Sequence, residues 1–171
     1  MSTSVLVAYA TKYGSTQGVA EEVAAALREH RFEVDCQPVN KVQSIDKYGA
    51  IVLGAPLYIG AWPKDALSFL ARQQAALAGR PIALFALGPL SAEEKEREDA
   101  RGHLDKVLAK LPWLKPLAVE VFAGKLDPAQ LRFPDSLLTV LPATPLHGMA
   151  AKDARDWTAI RTWAESLAVR L

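Results

Sequence analysis

The sequence predicts a three-layer α/β/α sandwich, with helices on both faces of a five-stranded parallel sheet in the order 2-1-3-4-5. Three observations lead there. Short apolar runs alternate with segments of helical period along nearly the whole chain. Most of those runs are continuously apolar, as strands covered on both faces are. The links between them are short, which suits strand–helix–strand crossovers.

The elements follow in order. "SVLVAY" (Ser4 to Tyr9) is the first buried strand. Val19, Val23 and Leu27 recur every four residues and mark one face of the first helix. In "FEVDCQPV", Val34 and Cys36 alternate with Glu33, Asp35 and Gln37, and Pro38 places this second strand toward an edge. "AIVLGA" (Ala50 to Ala55) is the third strand, and "KDALSFLARQQAAL" is a helix with Leu67, Leu70 and Leu77 at helical spacing. "PIALFALG" is the fourth strand. "SAEEKEREDARGHLDKVLAKL" is a helix whose mixed-charge first half reads as a solvated face. "LAVEVFAG" is the fifth strand. "RDWTAIRTWAESLAVRL" ends the sequence as a helix with Ile160, Ala164, Leu167 and Leu171 on one stripe.

One stretch breaks the rhythm. Gly124 to Asp156 holds four prolines and no strong period, and is too long for an ordinary loop. Pro134 could open a short helix there and Pro142 would stop it, with Leu137, Leu138 and Leu141 on one face. That face reads as packing on the domain; a lid or a homodimer contact is the other reading.

A chain of 171 residues is expected to form one domain, 1–171, with the irregular insert at about 124–156. Twenty Lys and Arg stand against nineteen Asp and Glu. That balance excludes a general nucleic-acid binder. It also lacks the acidic field of a carrier steered by charge to many basic partners. The single cysteine, Cys36, rules out an internal disulfide, and its apolar face predicts a buried, inert thiol. There is no basic leader, and no run approaches the ~18 apolar residues of a membrane span, so a soluble cytoplasmic protein is expected.

The first strand exits into "TKYGST": Thr11, Lys12, Tyr13, Gly14, Ser15 and Thr16. The helix that follows offers unpaired amides and the positive end of its dipole, a natural seat for phosphate. Thr11, Ser15 and Thr16 add hydroxyl donors, and Gly14 lets the backbone turn inward. The plainer reading is an N-cap by Ser15 or Thr16 and nothing more. Walker and dinucleotide glycine motifs are both absent.

The third strand exits into "PLYIG" (Pro56, Leu57, Tyr58, Ile59, Gly60), with Trp62 close behind. The fourth exits into Leu87, Gly88 and Pro89. In a doubly wound sheet all three loops lie at the carboxyl ends of the strands, where ligands bind. A phosphate cradle, an aromatic glycine loop and a close-approaching third loop describe a planar ring with a phosphate tail, the shape of flavin mononucleotide (FMN). Tyr58 is the stacking candidate; for Trp62, packing at the loop base is an equal reading. No side chain reads as acid, base, nucleophile or metal ligand. His103 reads as solvated on its charged helix, and His147 could approach the ring system only if the long segment folds over it.

These residues resemble the flavodoxin superfamily. "T-K-Y-G-S-T" is similar to its phosphate loop [ST]-x-[TY]-G-x-T, with Thr11, Tyr13, Gly14, Ser15 and Thr16 in place. Over nearly the whole chain the sequence is similar to flavodoxin-domain proteins related to menaquinone-dependent protoporphyrinogen dehydrogenase. "GAPLYIGAW", "FAGKLDPAQLRFP" and "RDW" (Arg155 to Trp157) fall at matching places. Against those relatives, the 124–156 stretch is similar in length but carries few charges, and Tyr58 stands where they have a basic residue.

The resemblance implies a flavodoxin-like fold, FMN as cofactor, and redox chemistry through the flavin. Main-chain amides of the second and third loops would bond the ring's pyrimidine edge. The Gly60 peptide would rearrange as the flavin changes state, because glycine tolerates both orientations. Three functions stay open: an oxidoreductase acting on a porphyrinogen, a quinone or another small electron donor or acceptor; a flavodoxin-type carrier serving a redox partner; and a module that has lost its cofactor. The intact hydroxyl loop argues against the last.

Overall fold

The computed structural model describes residues 3–58, 60–88, 93–126, 142 and 151–171. The main strands are β1 (Ser4–Tyr9), β2 (Glu33–Pro38), β3 (Ala50–Pro56), β4 (Ile82–Leu87) and β5 (Ala118–Phe122). They form one parallel sheet in the order β2-β1-β3-β4-β5, as expected. The helices are α1 (Ser15–Glu29), α2 (Lys64–Arg72), α3 (Gln74–Leu77), α4 (Glu94–Ala109) and α5 (Trp157–Ala168).

Strand alternation divides the core in two. Val5, Val7, Val52 and Phe85 face α1 and α5, where Val19, Val23, Leu27, Ile160, Ala164 and Leu167 are buried. Leu6, Ala8, Ile51, Leu53 and Leu84 face α2 and α4, against Phe69, Leu70 and Leu104. The short side chains of Ala20 and Ala24 favour helix and lie buried on the inner face of α1. A side-chain network seals the outer edge of that layer: Arg161 reaches Glu22 at 3.1 Å and also pairs with Glu29.

Gly54 sits in mid-strand for a packing reason. A Cβ there would lie 1.9 Å from Cζ of Phe85. That ring joins Phe122 and Trp163 in a cluster of tilted and edge-on contacts at 5.7–6.0 Å.

Three expectations change. The predicted helix 64–77 breaks at Gln73, whose backbone (φ −99, ψ 8) ends α2 while its buried side chain donates to the Gln43 carbonyl at 3.2 Å. Leu67 points to solvent, because Ala66, Phe69 and Leu70 define the inner face. Cys36 is half-buried rather than buried, since β2 is the sheet's edge strand. Burial still pushes its thiol up to about 11, so it stays protonated at neutral pH.

The irregular stretch begins and ends in structure. β6 (Lys125–Leu126) pairs antiparallel with β7 (Lys152–Asp153), and the Ala154 amide donates to the Gly124 carbonyl at 3.0 Å. Leu137, Leu138, Leu141, Pro134 and His147 lie outside the described residues.

Candidate functional site

The three predicted loops meet at the carboxyl ends of β1, β3 and β4. The first is built around Gly14, the N-cap of α1, in the left-handed region (φ 88, ψ −11). No side chain caps the helix, so the plainer alternative, a cap by Ser15 or Thr16, is not formed. Thr11 braces the turn instead: its Oγ1 accepts from the Gly14 amide at 2.9 Å. Space beside Gly14 is open, so glycine serves backbone conformation there rather than close packing.

Thr16 is the unusual residue. It is fully buried, and its Oγ1 has no hydrogen-bond partner among the described residues. A buried hydroxyl without a partner costs about 1–3 kcal/mol. Thr16 lies in the first turn of α1, whose amides have no intrahelical acceptors. The first turn of α1 carries no acidic side chain that would repel an anion. A bound phosphate oxygen would satisfy hydroxyl and amides together, so the residues present fit a phosphate-tailed group.

The second loop leaves β3 at Pro56, which pairs with Leu87 in the sheet. The Leu57 amide donates to the Leu87 carbonyl at 2.6 Å, tying the second loop to the third. Tyr58 and Ala61 exchange backbone hydrogen bonds at 2.8 and 3.1 Å, closing a tight hairpin. Gly60 sits inside that turn at φ 73. Lys12 joins the first loop to the second, its Nζ lying 4.9 Å from the Tyr58 ring centroid and 5.7 Å from that of Tyr13. Trp62 is buried in the core facing α2, so packing is its role. In the third loop, the Gly88 amide donates to the Phe122 carbonyl at 3.1 Å. A Cβ on Gly88 would lie 3.1 Å from that of Ala100 on α4. Ile59 and Pro89 lie outside the described residues.

A cavity of about 230 Å³ opens between the second and third loops and α4. Leu57, Gly60, Gly88 and Ala100 form its apolar and backbone walls; Glu96, Asp99 and His103 add polar groups. Sequence reading placed the latter three on a merely solvated face. The α4 segment is indeed exposed, but its spacing turns one row of it toward the second loop.

Arg155 was also missed as a site residue. Its guanidinium grips Asp153 with two contacts, at 2.9 and 2.7 Å. It lies over the Trp157 ring at 4.7 Å and reaches the Ser15 carbonyl at 3.3 Å. It stands directly over Gly18, where a Cβ would come within 3.0 Å of Nη1. Hydrogen bonding from Arg155 holds the Asp153 carboxyl below its usual range. A positive group is thereby set at the first turn of α1, 140 residues away in the chain. The motif "RDW" was the only sequence signal.

Among the described residues no group of His, Cys, Asp and Glu could hold a metal ion. None of their helices is long and apolar enough to cross a membrane.

The family model described as flavodoxin domain matches residues 6–139. The protoporphyrinogen IX dehydrogenase (quinone) of Escherichia coli strain K12 is 23% identical, over 95% of this chain and 93% of its own. Among solved structures, a short-chain flavodoxin associated with a bacterial microcompartment superposes with a TM-score of 0.61 at 19% identity, covering 98% of each chain. The oxidised flavodoxin 1 of Bacillus cereus gives 0.59 at 20% identity, covering 99% of each. Those two likenesses concern the fold.

Proposed function

The chain belongs to the flavodoxin-domain family, and on that premise we propose that its three loops hold FMN for oxidoreductase chemistry on a small electron donor or acceptor. FMN is the cofactor, and when bound it supplies electron and hydride transfer. Thr16 carries the assignment: in the first turn of α1, its hydroxyl is buried with no hydrogen-bond partner among the described residues.

In this reading Thr11, Ser15, Thr16 and the first-turn amides bind the phosphate, and Gly14 gives the loop its turn. Arg155, ion-paired with Asp153, ties the start of α1 to β7 beside them. Tyr58 stacks on the ring, with Lys12 over the tyrosine. Backbone of Pro56, Leu57, Tyr58 and Gly60 and of Leu87 and Gly88 borders the ring edge.

Titrating apoprotein with FMN and with riboflavin tests the phosphate site. FMN should bind at least 100-fold more tightly, since a phosphate held by several charge-assisted bonds contributes more than about 3 kcal/mol. Equal affinity for the two would remove the loop from the site.

The finer reading takes a porphyrinogen as electron donor and a quinone as acceptor, on the strength of the E. coli relative. Anaerobic mixing of the oxidised holoprotein with protoporphyrinogen should bleach the flavin, and a menaquinone analogue should restore its colour. A flavodoxin-type carrier is the second reading. The match to the flavodoxin-domain family favours it. A carrier would take electrons from a protein reductase and leave protoporphyrinogen untouched.

A further inference from the structure

The first turn of α1 lacks the usual local supports. Its N-cap is Gly14, no side chain caps it, and the turn carries no acidic residue. Thr11 braces only the Gly14 amide ahead of it. Gly18, a poor helix former, follows at once, and its amide donates to the Gly14 carbonyl at 3.4 Å, longer than such bonds usually are. Helix ends without partners fray. The side chain that holds this one comes from 140 residues away.

Arg155 grips Asp153 through Nε and Nη2, at 2.9 and 2.7 Å, and lies 4.7 Å from the Trp157 ring centroid. Its remaining nitrogen, Nη1, donates to the Ser15 carbonyl at 3.3 Å. Only 12% of the side chain is exposed. Gly18 leaves room for it, since a Cβ there would lie 3.0 Å from Nη1. We propose that Arg155 is a positioning residue for the phosphate site: by bonding the Ser15 carbonyl it fixes the first turn of α1, so that the Thr16 hydroxyl and the amides of that turn are in place before phosphate arrives. The consequence for the flavin rests on the FMN reading above; the clamp on Ser15 does not.

Geometry, not net charge, is what Arg155 supplies. A cation is disfavoured at a helix N-terminus, and here Asp153 neutralises it within the same pair. The guanidinium contributes its rigid fork, which holds a carboxylate on one side and a carbonyl on the other; the point charge of a lysine cannot hold both in that way. In an α-helix the Ser15 carbonyl also accepts from the Val19 amide, so a displaced Ser15 opens the first helical bonds. Donors that are already ordered bind without the cost of ordering them, and a loosened turn therefore binds more weakly. The phosphate is the part of the ligand that meets this turn. A ring held by the second and third loops is indifferent to it.

The experiment has two arms. In 15N-labelled apoprotein, hydrogen exchange of the Gly18 and Val19 amides reads opening of the first turn, referenced to the Leu27 amide deeper in the same helix. Arg155→Met keeps the length of the side chain and removes its donors. Both amides should exchange roughly 3- to 10-fold faster in it than in wild type, the size expected for a lost cap. In the second arm, FMN and riboflavin affinities are compared. Arg155→Met should bind FMN roughly 3- to 10-fold more weakly and riboflavin as wild type does, so the ratio of the two falls; a variant that was merely less stable would lose both alike. Asp153→Asn separates positioning from charge. It releases the guanidinium from its ion pair, so FMN affinity falls if Arg155 positions the turn and rises if Arg155 attracts the phosphate. Unchanged Gly18 and Val19 exchange, an unchanged ratio in Arg155→Met, or tighter FMN binding by Asp153→Asn would each overturn the proposal. Equal FMN and riboflavin affinities in wild type would remove the phosphate reading instead, and the exchange arm, which needs no flavin, would still decide whether Arg155 holds the turn.

Discussion

Thr16 illustrates how a single buried atom can oppose stability and favour binding. Its hydroxyl is withdrawn from water with nothing to bond among the described residues. Thr16→Val keeps the shape and removes the unsatisfied group. The apoprotein should melt at the same temperature or higher, because deleting an unpaired buried hydroxyl is neutral to stabilising. FMN affinity should fall roughly 10- to 100-fold, the loss of one charge-assisted bond of about 1.5–3 kcal/mol. Riboflavin, lacking the phosphate, should bind both proteins alike. Calorimetric melting and fluorescence titration on the same samples read the two opposed effects. Tyr58 calls for a different readout. An electron-rich ring stacked on the flavin disfavours its reduced form, so Tyr58→Ala should raise the reduction potential and weaken binding. An unchanged potential and affinity would take Tyr58 out of the site.

At the scale of elements, the Arg155–Asp153 clamp fastens β7 to the first turn of α1. Folding lowers the Asp153 pKa through Arg155. The pair's contribution is therefore complete above the unfolded carboxylate value of about 3.9 and is lost as pH falls through the lowered folded value. Wild type should melt above Asp153→Asn at neutral pH, and the gap should close in acid below about pH 4. Since Asp153 is partly solvated, the gap should be small and should shrink with added salt. A gap that persists in acid would mean that packing, not charge, joins these elements. The α2–α3 break has its own test. Phe69→Ala should cost about 3–5 kcal/mol and Leu67→Ala well under 1 kcal/mol, since only the first is buried. Urea unfolding curves separate them.

Across the whole molecule, the sheet is joined to the α1–α5 layer through the Phe85, Phe122 and Trp163 cluster over Gly54. Gly54→Ala should be among the most damaging single methyl additions, because the new carbon overlaps a ring that both neighbours hold in place. Adding Phe85→Leu should recover part of the loss, and the two changes should be strongly non-additive in stability, as contacting residues are. Additive effects would show that the strand moves instead of the ring.

The sequence by itself determined the architecture and the make-up of the first loop. Apolar runs such as "SVLVAY" and "AIVLGA" report burial on both faces wherever they lie, and strand–helix alternation leaves few topologies. The hydroxyl-rich turn before α1 was likewise legible, because a helix start and its neighbours are local in the chain. Only the tertiary structure decided the rest. Whether Ser15, Thr16 or Gly14 caps α1 depends on where the Thr11 hydroxyl points. That Leu67 faces water follows from which side of α2 meets the sheet. His103 and Arg155 reach Gly60 and Ser15 across 43 and 140 residues of chain, and helical period reports only that a side chain is on an outer face. It cannot say which distant loop passes against that face, because the packing of distant elements sets such contacts.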